Sequence, residues 1–85
     1  MKCDYIARFA RANLYRPLMG LDTLRLNRSK PTGVGTVNHD GRRSVSMLLG
    51  RRRYIVSSNG MTVECECVRT ENGAVTVVDR AVVLA

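Results

Sequence analysis

Arginine is the residue type in this chain whose placement could do chemistry. Arg42-Arg43 and Arg51-Arg52-Arg53 form two runs, and twelve of the fourteen cations are Arg. A guanidinium presents a planar fork of donors that grips phosphate or carboxylate oxygens in a way a lysine ammonium cannot. If the residues between the runs form a strand, the clusters stand roughly 20 Å apart at about 3.3 Å per residue. That spacing suits phosphates along a groove. Arg8, Arg11, Arg25, Arg28 and Lys30 can extend the surface, because phosphate contacts set affinity and position without reading bases. The plainer reading is a solvated hairpin whose charged ends resist edge pairing.

The charge is lopsided. Residues 1–53 hold twelve Lys or Arg against three Asp, a net +9, and residues 54–85 hold two Arg against four acids, a net −2, which together give the +7 of the chain. An anionic partner follows: nucleic acid or an acidic protein surface. Single-strand binders stack bases on aromatic platforms, for which only Tyr15 and Tyr54 are candidates, and Tyr54 is expected to face the core. A duplex or structured backbone is therefore the expected nucleic-acid partner.

Other chemistries are weaker. Cys3, Cys65, Cys67 and His39 complete a Cys3His set by count, but the spacing matches no usual zinc module. Cysteines at i and i+2 on a strand share a face, where Cys packs as a small core residue. His39-Asp40 beside Ser44 and Ser46 is explained by a turn and a strand end, and Gly33-Val34-Gly35 lacks the third glycine of a dinucleotide loop. No metal, no cofactor, no catalytic residue and no enzymatic activity are expected. Three cysteines, an odd number, do not make the disulfide framework of a secreted domain. With no apolar leader or membrane-length stretch, the expected setting is the cytoplasm, without a membrane partner.

The elements that must position these side chains are read from turns and alternation. Gly50-Arg51 suits a type II′ turn that sets Val45 opposite Val56 and Met47 opposite Tyr54. Asn59-Gly60 suits a type I′ turn that sets Ser58 opposite Met61, Val56 opposite Val63, Tyr54 opposite Cys65 and Arg53 opposite Glu66. The two registers agree in placing Val45, Met47, Tyr54, Val56, Val63 and Cys65 on one face. Asp40-Gly41 pairs His39 with Arg42, Val37 with Ser44 and Val34 with Met47. Asn72-Gly73 turns the chain into a Val-rich strand over 74–84. There, a two-residue loop would set Glu66 against Asp79, whereas a three-residue loop would set Glu64 against Arg80, and charge favours the second.

Upstream, Asp4 reads as the N-cap of a helix over 4–15 with Ile6, Phe9, Ala10 and Asn13 on one stripe, ended by Pro17. Residues 21–27 alternate as a short strand, and 28–35 form a turn-rich connection. The whole predicts one domain over 1–85, of α+β class, with an N-terminal helix packed on a four- to five-stranded, mainly antiparallel β-meander; a small β-barrel with a helical cap is the alternative. The expected function is a nonenzymatic nucleic-acid-binding protein using an Arg-rich face. The competing expectation is a small protein-binding inhibitor or adaptor, of the kind mobile genetic elements encode against host defence, docking through anchors such as Leu18, Met19 or Leu21.

Overall fold

The computed structural model describes residues 2–12, 24, 30–39 and 42–85. Within them run α1 (Lys2–Ala12), β1 (Thr32–His39), β2 (Arg42–Leu49), β3 (Arg52–Ser58), β4 (Thr62–Glu71) and β5 (Ala74–Leu84). The strands form one antiparallel sheet in the order β1-β2-β3-β4-β5, and α1 lies on it over β5, β4 and β3. The α+β meander expected from the sequence is the fold. β1 and β5 remain separate edges, so the sheet does not close into the alternative barrel. The expected strand over 21–27 lies outside the described residues apart from Leu24, which is buried and in no regular element. Tyr15, Leu18, Met19, Leu21, Arg25 and Arg28 also lie outside them.

Alternation sorts the sheet into two faces. Val45, Met47, Tyr54, Val56, Val63, Cys65 and Cys67 are buried on the face that carries the helix, and the residues between them face the open side. The helix answers with Cys3, Ile6, Ala7 and Ala10, all fully buried, at the i, i+3, i+4, i+7 spacing of one face. Of the expected stripe, Ile6 and Ala10 are buried, Phe9 is only partly buried and packs against the core, and Asn13 lies outside the described residues.

The helix also begins earlier than expected, at Lys2. Asp4 stands inside its first turn, paired with Arg8 at 3.0 Å, so it is not the N-cap. A carboxylate from the far end of the chain serves instead: the Cys3 amide donates to Asp79 Oδ2 at 3.1 Å. An amide of the first helical turn lacks a partner within the helix, and an acid is favourable at that positive end.

The Gly50-Arg51 turn places Val45 opposite Val56 and Met47 opposite Tyr54, as read from the sequence. Gly50 has φ 65 and Arg51 has none in the positive range, which is the type II′ pattern. The Asn59-Gly60 register differs by two residues: Ser58 faces Val63, Val56 faces Cys65 and Tyr54 faces Cys67. A type I′ turn needs positive φ at both central residues, and here only Gly60, at φ 89, has it. Asn59 Oδ1 instead accepts from the amides of Met61 and Thr62, both at 2.9 Å, and Ser58 Oγ accepts from the Gly60 amide at 3.2 Å. This side-chain turn widens the loop. A shift of two keeps every side chain on its face, so the buried set survives, but Arg53 stands opposite Val68 and not Glu66.

At the last hairpin the two-residue loop forms, with φ 51 at Asn72 and 79 at Gly73. It leads into Glu71 opposite Ala74 and Val68 opposite Val77. The expected three-residue loop, with Glu64 opposite Arg80, is therefore corrected. A bulge then moves the register by one, so that Cys67 faces Asp79 and Glu66 faces Arg80. The like-charge pairing of Glu66 with Asp79 is relieved by the bulge and not by the loop. In the first hairpin His39 faces Arg42 and Val37 faces Ser44 as expected. An irregularity between Thr32 and Gly35 interrupts the ladder before Met47, and Gly33 there has φ 59. Residues 32–35, expected in a connection, thus already belong to β1.

Gly60→Val tests the backbone argument. A Cβ there meets nothing within 4 Å, so the cost is the positive φ alone, about 1–3 kcal/mol. A thermal melt is expected to drop by several degrees, whereas Gly35→Ala, at ordinary φ and in open space, is expected to leave it unchanged or slightly raised. Equal melts for both variants would remove the argument.

Candidate functional site

The arginines divide by what they touch. Arg42, on the open face, donates to Glu64 Oε2 and Ser57 Oγ, both at 2.9 Å. Glu64 also meets Arg80 at 3.7 Å. Arg53, half-buried, donates to Ser46 Oγ, and Arg69 pairs with Glu71. Because Ile55 faces Glu66 and Ser57 faces Glu64, the middle of the open face is a shallow hollow of about 360 Å³ lined by Arg42, Ser44, Ile55, Ser57, Glu64, Glu66 and Arg80. Its charges are balanced. Nothing in the sequence reading assigned Glu64 and Glu66 to this hollow; their i, i+2 spacing on a strand was the available signal.

The remaining candidates carry their charge unmatched. Among the described residues Arg11, Lys30, Arg43, Arg51 and Arg52 are exposed and make no ion pair. Topology gathers three of them. Thr32 pairs with Leu48, so Lys30 precedes β1 at the same sheet end as the β2–β3 turn carrying Arg51 and Arg52. Arg43 belongs to the opposite end, opposite Ser58, and Arg11 to the last turn of α1. Arg8 is held by Asp4. The eight candidates among the described residues do not form one continuous basic face: the unmatched charge concentrates at a sheet end, around a turn whose type fixes where Arg51 and Arg52 emerge.

Among the described residues aromatic platforms are scarce at the surface. Tyr54 is buried at the centre of the core, as expected. Burial pushes its phenol up to about 12, with Cys67 acting in the same direction and Arg52 opposing it. Tyr5, half-exposed on α1, is the one exposed aromatic among the described residues.

The cysteines meet as packing neighbours. Cys3, Cys65 and Cys67 are free and buried, with the Cys65 thiol directed at Cys3 Sγ at 3.3 Å. His39, the fourth member of the set by count, sits on β1, three strands from β4 and so about 14 Å away at sheet spacing. Among the described residues no group of three His, Cys, Asp or Glu is disposed to hold a metal ion.

Burial raises the Cys3 thiol from its ordinary 9.0 to about 11, against the hydrogen bond from Cys65, which lowers it. Burial likewise pushes Cys65 up, with Cys3 adding to the effect. A raised thiol keeps its proton in the folded state. Its contribution to stability is whole below the unfolded value and lost as pH climbs through the folded one. Thermal stability is therefore expected to fall between about pH 9 and about pH 11. Cys65→Val should flatten that fall; an unchanged alkaline slope in the variant would assign it to other groups.

Among the described residues no helix is long and apolar enough to cross a membrane. Comparison with known proteins finds no matching family model, no matching curated protein and no matching solved structure.

Proposed function

We propose that this chain is a small nonenzymatic protein of the cytoplasm that binds duplex or structured nucleic acid through backbone contacts. The sheet end around Lys30, Arg51 and Arg52 is its leading contact surface. The observation that carries this reading is the division of the cations: Arg42 and Arg80 on the open face are held by Glu64, while these three are exposed and without an acid. Guanidiniums on a turn with no carboxylate partner are available to phosphate oxygens with little desolvation, and releasing condensed counterions supplies the affinity. The burial of Tyr54 favours backbone recognition over base stacking.

The test is a mobility shift with random duplex DNA and with structured RNA at two salt concentrations. Steeply salt-dependent retardation supports the reading, and no retardation even at low salt rejects it.

A second reading, a protein-binding inhibitor or adaptor of the kind encoded by mobile genetic elements, draws on the exposed Val75, Val77, Val82 and Leu84 of β5. Apolar anchors serve protein contacts and add nothing to phosphate contacts. Capture from host lysate with and without nuclease separates the two: a stoichiometric host protein that survives nuclease favours the second.

A further inference from the structure

Cys3 and Cys65 bring two nucleophilic groups together inside the core. α1 buries Cys3 on the same stripe as Ile6, Ala7 and Ala10, and β4 buries Cys65 and Cys67 on the sheet face that carries the helix. The Cys65 thiol is directed at Cys3 Sγ at 3.3 Å, across 62 residues of chain. Both cysteines are free. Cys67 is engaged elsewhere, since its thiol meets the Tyr54 phenol. On an extended strand the Cα atoms of Cys65 and Cys67 stand about 6.7 Å apart, at the far limit of the separations a disulfide spans. The geometry therefore favours one pairing among the three.

We propose that Cys3 and Cys65 are an oxidation site, at which a small-molecule disulfide of the glutathione type converts the thiol pair into an intramolecular disulfide that latches α1 onto β4. The exchange runs in two steps. One cysteine gives up its proton and its thiolate attacks a sulfur of the reagent, forming a mixed disulfide and expelling one reagent thiol. The second cysteine, deprotonated in turn, attacks the protein sulfur of that mixed disulfide and expels the other. One S–S bond breaks in the reagent and one forms in the protein; two protein thiols are oxidised and two reagent thiols are released. The inference stands on the contact between α1 and β4 and does not rest on nucleic-acid binding.

Access to the pair is governed by one end of the helix. Both side chains are fully buried, so the reagent reaches them only when the first turn of α1 lifts from the sheet. Cys3 lies in that turn, and a helix end opens at far lower cost than the whole domain. What pins it is Asp79, whose Oδ2 accepts from the Cys3 amide at 3.1 Å. The same carboxylate works against the reaction a second way. Burial holds both thiols protonated in the closed fold, and the Asp79 charge adds to that effect at each of them, while thiolate is the species that attacks. Asp79 is thus the guard of the site: it keeps the turn closed and opposes the nucleophile beneath it.

The experiment incubates the reduced full chain with excess glutathione disulfide under native conditions and follows it by mass spectrometry. The expected product is lighter by two hydrogens and carries no glutathione, and its digest yields a peptide joining Cys3 to Cys65. Its melting temperature should rise by several degrees, because the link closes a long loop in the unfolded chain, and dithiothreitol should return it to the starting value. Cys67→Ala should form the same link. Asp79→Asn, checked for folding by circular dichroism, should oxidise several-fold faster than wild type. A chain that keeps all three thiols, stops as a glutathione adduct or links through Cys67 overturns the proposal. An unchanged melt in the oxidised protein overturns the latch, and wild-type kinetics in Asp79→Asn overturn the guard.

Discussion

Replacing Arg51 and Arg52 together by Glu is expected to abolish duplex binding at physiological salt while leaving the fold intact. Both residues are exposed at the Gly50 turn and neither has an acid to lose; what the change removes from the folded state is the contact of Arg52 with the Tyr54 phenol. It reverses four units of charge at the proposed contact. Each phosphate neutralised contributes about −0.9 to the slope of log affinity on log salt, so removing two contacts should also flatten that slope by about 1.8. Arg53→Ala serves as the contrast. Its guanidinium is engaged with Ser46, and its effect should appear in the melting curve more than in the binding isotherm. Undiminished binding by the double variant would move the contact surface away from this sheet end.

The largest stability loss is expected from Tyr54→Ala. Tyr54 is 1% exposed and the largest of the fully buried side chains, on the middle strand between Met47 and Cys67. Truncating a buried aromatic to Ala costs about 3–5 kcal/mol through lost transfer energy and the cavity left behind. A domain of this size holds only about 4–13 kcal/mol in total. With few other aromatics, nothing of similar volume stands ready to refill the space. Urea denaturation followed by circular dichroism should show the midpoint falling by about half or more, while Tyr54→Phe, which keeps the ring, should lose about 1 kcal/mol. A near-native midpoint for Tyr54→Ala would mean that the sheet face beneath the helix is not the core.

These two expectations draw on different degrees of legibility. Tyr54 was readable as core because period-2 alternation survives errors in pairing: the β3–β4 register was wrong by two residues, yet every buried side chain kept its face. The Gly50 turn gave its register correctly because the glycine provides the positive φ of a two-residue loop. Asn59 misled because its side chain can close a wider loop by accepting two amides, a choice the dipeptide alone does not disclose. The bulge in β5 was hidden for a similar reason, since it answers a charge conflict that exists only once β4 and β5 are paired.

The site was legible in position but not in engagement. Two arginine runs at opposite ends of one hairpin follow from the turn, and the structure places them there. That Arg42 is held by Glu64 could not be read, because the contact spans 22 residues and crosses β3. Cys3 meeting Cys65, 62 residues away, needed the docking of α1, which no local pattern encodes.

The bond from the Cys3 amide to Asp79, 76 residues along the chain, bears on how the protein is made. During synthesis β2 and β3 can pair as soon as both have left the ribosome, since their contacts are local. α1 emerges before them but rests on β4 and β5, which emerge after them. Until then the nascent chain carries Ile6, Ala7 and Ala10 on a helical stripe without a sheet to cover it, a transient apolar surface of the kind chaperones hold. A ribosome stalled before Asp79 should therefore present an N-terminal segment open to protease, and protection should arrive only once β5 has cleared the exit tunnel.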